Sequence, residues 1–160
     1  MTVVVDSTPL IYLAAIGKFD LLRSLYGRII IPVAVYNEVV TQGTGRYGAA
    51  ETSSASWIER RAVSDATRVA ALRGQLDGGE SEVVILSDEL HADLVIMDEA
   101  AGRRELANRG TTHIGTIGVL MQAKSRGLLT ALRPELDQLR ASGFHISDRV
   151  YQHCLQAVGE

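Results

Sequence analysis

Short apolar runs alternate with amphipathic segments along most of this chain, and this alternation constrains the fold more than any other feature. The first run is Val3–Val5, and residues 28–31 and 94–97 repeat the pattern. Apolar runs without polar alternation are typical of parallel strands that are buried on both faces. Because a helical pattern follows each run, the sequence predicts βαβ units with right-handed crossovers.

Two weaker runs, residues 57–63 and 112–114, bring the expected number of strands to about five. We therefore predict a three-layer α/β/α fold with a central parallel sheet. Thr8 and Pro9 suit the N-cap and first position of the opening helix. The stretch 43–56 is rich in small residues, and predicts either an exposed loop, acting as a mobile flap near the site, or a short helix.

The length of 160 residues fits one domain over 1–160, with the helices after about residue 116 packing as part of it. With 16 basic and 19 acidic residues, the net charge of -3 argues against a protein that coats nucleic acid through charge alone. An enzyme that holds nucleic acid through metal ions remains compatible with this charge. The lone cysteine, Cys154, excludes an intramolecular disulfide framework and favours a cytoplasmic location. No run is long enough to predict a membrane span.

Four acidic residues occupy informative positions. Asp6 directly follows the first predicted strand, and Asp98 directly follows the fourth. Ligands of open parallel sheets bind beyond the carboxyl ends of the strands, so these two carboxylates are expected to converge. Glu38 lies within an apolar helical stretch, and Glu80 begins a helix after two glycines. Taken singly, each has a plain interpretation as a helix cap, a partner of the helix dipole or a solvated side chain.

Together, these four carboxylates predict a cation site. Clustered carboxylates raise one another's pKa unless a cation neutralises them, and Mg²⁺ or Mn²⁺ is the natural partner for oxygen ligands. Such a site polarises a phosphodiester and activates water. We interpret the hydroxyl of Ser7, beside Asp6, either as a support for this site or as a plain capping group.

Other catalytic signatures are missing. No P-loop lysine follows the glycines at 78–79, and no dinucleotide-binding glycine pattern follows the first strand. The four histidines lack HExxH spacing, and no GxSxG elbow is present. A phosphatase or receiver-type domain would carry a second acid two residues after the first, but position 8 of this chain is Thr.

Several segments resemble the motifs of PIN domains in the same order. Residues 3–11, Val-Val-Val-Asp-Ser-Thr-Pro-Leu-Ile, resemble the opening strand and acid of that family. Residues 29–40, with Pro32 and Glu38, resemble its next strand and Glu-bearing helix. The segments 77–82 and 94–99 resemble its later acidic elements, and the tail is similar from Gly115 onward. The resemblance covers nearly the whole chain.

This resemblance implies a parallel sheet between helices and a Mg²⁺- or Mn²⁺-dependent ribonuclease. Many bacterial PIN proteins resemble VapC toxins, which are paired with small antitoxin proteins. Asp6, Glu38 and Asp98 match the family's acids, so the resemblance implies both catalytic and metal-binding roles for them.

The identity of the remaining acid stays open. Glu80 is the first choice, whereas VapC-like proteins usually carry Asp at that helix start; Asp77 and Glu82 are the alternatives. Glu99 is expected to assist Asp98, the acid directly before it in the chain. Thr116 follows the fifth strand, where its hydroxyl is expected either to bind a metal-bound water or simply to cap the helix.

Arginines supply nearly all the positive charge. We hypothesise that Arg103 and Arg104, which follow Asp98 by about one helical turn, contact RNA phosphates. The alternative is that they lie on a solvated face of the helix. Other candidates for an RNA path lie in the middle of the chain: Arg46, Arg60, Arg61 and Arg68.

Two questions of function and assembly remain. Because VapC-like proteins usually carry Asp where this chain has Glu80, an alternative function stays open. In that alternative the chain is a PIN-like scaffold that has lost activity and acts as a protein- or RNA-binding module. A homodimer is possible if Leu10, Leu13 and the apolar residues of 19–25 form a self-complementary surface, the alternative being that they pack in the monomer core.

Overall fold

The computed structural model, which describes residues 1–160, contains a five-stranded, fully parallel sheet flanked by helices. The order across the sheet is β3-β2-β1-β4-β5. The strands are β1 (Val3–Val5), β2 (Ile29–Pro32), β3 (Ile58–Arg61), β4 (Leu94–Ile96) and β5 (His113–Ile114). The prediction of an α/β/α fold with about five parallel strands is confirmed.

Ten α-helices and one π-helical segment connect and follow the strands. They are α1 (Ser7–Ala15), α2 (Leu21–Tyr26), α3 (Val33–Tyr36), α4 (Ala49–Ser54), α5 (Ala66–Leu72), α6 (Gly78–Leu90), α7 (Ala100–Asn108), α8 (Thr116–Ser125), α9 (Arg133–Ala141) and α10 (Asp148–Ala157). The π-helical segment, Asn37–Thr41, continues α3. None of the helices has the length and apolar character needed to cross a bilayer.

The central strands are buried on both faces, as uninterrupted apolar runs require. Val4 pairs with Ile30 on one side and with Val95 on the other, and both valines are fully buried. The backbone N–H of Asp6 donates to the carbonyl of Ile96 at 3.0 Å, which extends the pairing by one residue. The chain segments that follow β1 and β4 therefore leave the sheet side by side.

The last three helices share one hydrophobic cluster with the sheet: Leu120, Leu136 and Leu155 belong to it together with the strand valines. The apolar residues of α1 and α2 belong to the same cluster, and Leu10, Leu13 and Leu22 are fully inaccessible. The interpretation of these side chains as a dimer surface is therefore wrong, because they pack within the chain.

Two local expectations are corrected. The N-cap of α1 is Asp6 rather than Thr8, and Pro9 lies in the first turn, where its missing N–H has no helical partner to lose. The glycine-rich stretch contains α4, which buries Ala49 and Thr52, so the short-helix alternative is confirmed there and an open flap is not.

The π-helical segment ends against a glycine. A Cβ at Gly43 would overlap the backbone carbonyl oxygen of Val39, so a side chain there requires the backbone to move. Gly74 provides a matched contrast, since its backbone is ordinary and a Cβ there meets nothing within 4 Å.

We predict that Gly43→Ala lowers the free energy of unfolding by about 1–3 kcal/mol, the usual cost of overpacking. Gly74→Ala is expected to be neutral or slightly stabilising, because it only reduces the entropy of the unfolded chain. Urea denaturation of both variants measures the difference, and equal stabilities would contradict the tight packing of the π-helical segment.

Candidate active site

Asp6 is a buried carboxylate at the end of the central strand. Only 3% of the residue is exposed. Burial is the main reason why its pKa rises to about 8, although the adjacent backbone N–H of Ser7 lowers it. The carboxylates of Asp77, Glu80 and Glu38 raise it further. Near neutral pH this position therefore favours either a proton or a bound cation over a bare negative charge.

Glu38 is linked to Asp6 through Ser7. The hydroxyl of Ser7, the first residue of α1, donates a hydrogen bond to Oε2 of Glu38. The same oxygen lies 3.3 Å from the place that a Cβ on Gly79 would occupy, so the glycine permits this close approach. Glu38 is exposed as a residue, yet its carboxylate is held in place rather than free in solvent. Its location in a π-helical segment is frequent among functional residues.

The start of α6 carries two acids in a reciprocal capping box. The backbone N–H of Glu80 donates to Oδ1 of Asp77 at 2.8 Å, and the N–H of Asp77 donates to Oε2 of Glu80 at 3.1 Å. Burial, followed by the charges of Asp77 and Glu99, raises the pKa of Glu80. The third alternative, Glu82, instead accepts from the backbone N–H of Ala34 at 2.6 Å and so caps the start of α3.

Asp98 is oriented by α8. Its carboxylate accepts from the backbone N–H of Thr116 at 2.8 Å and from the Thr116 hydroxyl at 2.6 Å. Burial raises the pKa of Asp98, while these two hydrogen bonds and the positive charge of Arg103 lower it. The N-cap of α8 is Gly115, so Thr116 as N-cap is wrong. The single hydroxyl hydrogen of Thr116 is already committed to Asp98.

The structure therefore brings three of the predicted acids, Asp6, Glu38 and Glu80, within electrostatic reach of one another, together with Asp77. Asp98 lies beside them in the sheet order but faces Thr116. No three acidic, histidine or cysteine side chains lie close enough to hold one ion between them.

The donor chemistry nevertheless fits a hard divalent cation. The charged groups that act on Asp6 are the carboxylates of Asp77, Glu80 and Glu38, and these like charges destabilise its buried carboxylate. Mg²⁺ is commonly held by only one or two carboxylates, with waters and substrate phosphate completing its shell. Asp6, with one or more of the carboxylates around it, would hold such an ion.

A cleft of about 410 Å³ adjoins this acidic edge, lined in part by Asn37, Glu38, Asp77 and Arg73. An Arg73 guanidinium nitrogen, Nη1, lies 3.4 Å from the position of a Cβ on Gly78. Arg73 is the positively charged residue that sequence reasoning missed. Its place a few residues before the predicted acidic turn was the available signal.

The predicted RNA-contacting arginines differ in their surroundings. Arg103 is half-buried near Asp98, whereas Arg104 is exposed. Arg60 stacks over the ring of Tyr36 at 4.2 Å, and two others form surface ion pairs, Arg61 with Glu59 and Arg68 with Asp88.

Comparison with known proteins gives a family and a fold. A family described as a PIN domain, DUF3368, matches residues 2–160. A solved structure of a PilT N-terminus domain protein from the hyperthermophilic archaeon Sulfolobus solfataricus P2 is similar to this chain. It superimposes with a TM-score of 0.56 at 19% identity, over 77% of this chain and 93% of the archaeal one. No curated protein matches the sequence.

The raised pKa of Asp6 predicts a pH dependence of stability. Between its unfolded pKa of about 3.9 and its folded pKa of about 8, the folded state holds the extra proton. Without divalent cations, its contribution to the free energy of unfolding therefore falls as pH rises and levels off above pH 8. Urea denaturation of the wild type and Asp6→Asn, in EDTA from pH 5 to 9, isolates this contribution.

Asp20→Asn serves as the control, because Asp20 is exposed and its side chain does not cap α2. Its stability is expected to follow the wild-type pH profile. Parallel profiles for the wild type and Asp6→Asn would contradict the assignment.

Proposed function

Because this chain belongs to the PIN-domain family, we propose that it is a divalent-metal-dependent endoribonuclease with its centre at Asp6. The proposal takes the nuclease-type fold of the family as its premise. The observation that carries it is the buried Asp6 carboxylate, surrounded by the negative charges of Glu38, Asp77 and Glu80. A cluster of this kind is costly to maintain unless a cation offsets its charge.

The residues divide the work by position. Asp6 and Glu38 would hold the cation, and the hydroxyl of Ser7, the residue next to Asp6, binds the carboxylate of Glu38. When bound, a divalent cation supplies the charge that stabilises a phosphodiester under attack and lowers the pKa of a coordinated water. Glu80 and Asp77, joined by their capping box, add negative charge at the start of α6.

Asp98 is held in one orientation by hydrogen bonds from α8. Thr116 fixes both of its carboxylate oxygens, so Asp98 presents a preset orientation rather than a freely rotating group. Arg103 beside it and Arg73 beside Asp77 supply positive charge on two sides of the acids. Arginine binds phosphate oxygens in a bidentate manner, so these two residues suit the flanking phosphates of an RNA strand.

Cleavage of RNA by the purified protein tests the proposal. We expect hydrolysis with Mg²⁺ or Mn²⁺, none in EDTA, and a loss of at least about 100-fold in Asp6→Ala, since that variant removes the central ligand. Glu38→Gln is expected to be weakened as well, whereas Asp20→Ala, an exposed acid elsewhere, retains wild-type activity. Metal-dependent cleavage that survives Asp6→Ala would place the site elsewhere.

A second candidate function is a noncatalytic protein- or RNA-binding module. It is favoured by the absence of a three-acid cage and by the engagement of Asp98 with Thr116. Calorimetric titration with Mn²⁺ separates the two candidates. Binding that is lost in Asp6→Ala supports the nuclease, and no binding to the wild type supports the module.

We further propose that the protein is the toxin of a type II toxin–antitoxin pair, acting on RNA in the cytoplasm beside a small antitoxin protein. Induced expression in a bacterial host should arrest growth for the wild type and for Asp20→Ala, but not for Asp6→Ala at equal protein level. The reason is that arrest depends on RNA cleavage. Arrest by Asp6→Ala, or vigorous growth with the wild type, would count against this role. A small adjacent reading frame encoding an antitoxin-like protein would support it.

A further inference from the structure

A second cleft, of about 400 Å³, opens beside Asp98, and apart from Asp98 and Arg103 its lining residues have no part in the chemistry described so far. Its polar lining consists of Asp98, Arg103, His113 and His145. Its apolar lining comes mainly from α8, α10 and the segment between α9 and α10, and includes Ile117, Met121, Phe144 and Val150. We call this the α8–α10 cleft.

The α8–α10 cleft contrasts with the cleft beside Arg73. The Arg73 cleft is lined by amides, carboxylates and a guanidinium, with only one hydrophobic residue among eight. Half of the twelve residues that line the α8–α10 cleft are hydrophobic. Glu38 and Asp77 line the Arg73 cleft, whereas Asp98 lines the α8–α10 cleft. The first cleft therefore suits a phosphate backbone, and the second suits a flat, partly apolar group.

Resting on the proposed function, we propose that the α8–α10 cleft binds one nucleobase of the RNA strand next to the cleaved phosphate. Its volume is at the lower end of the roughly 300–1,000 Å³ found for ligand pockets, which suits a single nucleoside. Single-stranded RNA is recognised by bases that are splayed out and stacked on aromatic, histidine or arginine planes. Phe144 and His145 supply an aromatic and a histidine plane, while Arg103 remains available to the adjoining phosphate.

The aromatic side chain in this cleft is preorganised. The ring of Phe144 packs edge to face against Tyr12, with 5.1 Å between the ring centroids. This contact ties the segment before α10 to α1, the helix that Asp6 caps. A base that enters the cleft therefore meets a ring whose position is already coupled to the candidate active site.

His113 offers a means of discriminating between bases. Its Nδ1 lies 2.9 Å from the carbonyl oxygen of Thr111, and because a carbonyl only accepts, Nδ1 carries the hydrogen. In this tautomer Nε2 carries no hydrogen and can accept a hydrogen bond. An acceptor in this cleft pairs with the amino or imino N–H groups on the edge of a base, and these differ between the four bases.

The test measures binding of AMP, GMP, CMP and UMP to the isotopically labelled protein by NMR, in EDTA so that no divalent cation bridges the nucleotide phosphate to the acids. We expect saturable binding that shifts the resonances of residues in the α8–α10 cleft, with a preference among the four bases. Val150→Trp fills the cleft from a residue that is 42% exposed, and should weaken binding about tenfold or more, the loss expected for one base contact.

Leu128→Trp is the matched control, because Leu128 is equally exposed at 44% and does not line the cleft. It should bind nucleotides as the wild type does. His113→Asn keeps a donor in the place of Nδ1 but removes Nε2, and should flatten the preference among bases. His113→Gln, which retains a polar group in the place of Nε2, should keep more of that preference.

Two outcomes overturn the cleft assignment: no saturable binding of any nucleotide to the wild type, which favours a protein segment as occupant, or equal binding by Val150→Trp and the wild type. This readout is independent of catalysis. Nucleotide binding without RNA cleavage supports the cleft and contradicts the nuclease. Cleavage without nucleotide binding supports the nuclease and contradicts the cleft.

Discussion

The burial of the Asp6 carboxylate at the end of the central strand is the constraint on which the rest of the site depends. The strand that carries it lies between β2 and β4, so the segment after Val5 has little access to solvent. A carboxylate in that place strongly prefers a proton or a cation. The negative charges of the neighbouring acids strengthen this preference, because they raise the pKa of Asp6 further. The arginines of the site lie elsewhere: Arg103 lies near Asp98, and Arg73 lies beside Gly78 at the start of α6.

The surrounding elements are arranged around this carboxylate by small residues and short polar contacts. Gly79 lets the carboxylate of Glu38 approach the start of α6, and Ser7 binds that carboxylate from the start of α1. Gly115 plays a similar part on the other side, where a Cβ would lie 2.6 Å from the Asp98 carboxylate. The π-helical segment after α3 carries Glu38 toward the same edge. Close backbone approach, rather than a loop of unusual length, builds the site.

The sequence predicted much of this arrangement because the relevant signals are local. Uninterrupted apolar runs are typical of buried parallel strands, and the residues that follow them lie at the ligand-binding edge of such a sheet. Asp6 and Asp98 are predicted on that basis, whereas Glu38 and Glu80 are predicted from their positions in helical segments and from the family resemblance. The first helix was misplaced by two residues, because the strand-end acid itself serves as the N-cap and leaves Thr8 and Pro9 inside the first turn. Arg73 was missed because its proximity to the acids depends on how α5 leads into α6.

By itself, then, the sequence determined the strands, the parallel sheet and the edge at which the acids gather, since these follow from hydrophobic pattern and from the residues that end each strand. Only the tertiary structure decided which acids lie within electrostatic reach of one another. The carboxylate of Glu82 caps α3 by accepting from the backbone N–H of Ala34, which is 48 positions away in the chain. Both carboxylate oxygens of Asp98 accept hydrogen bonds from Thr116, which is 18 positions away. The tertiary structure also created the two unlike clefts beside the acids. Neither the partners of these acids nor the clefts can be predicted from the sequence alone. The partner of a polar side chain is set by the packing of distant elements and not by its neighbours along the chain.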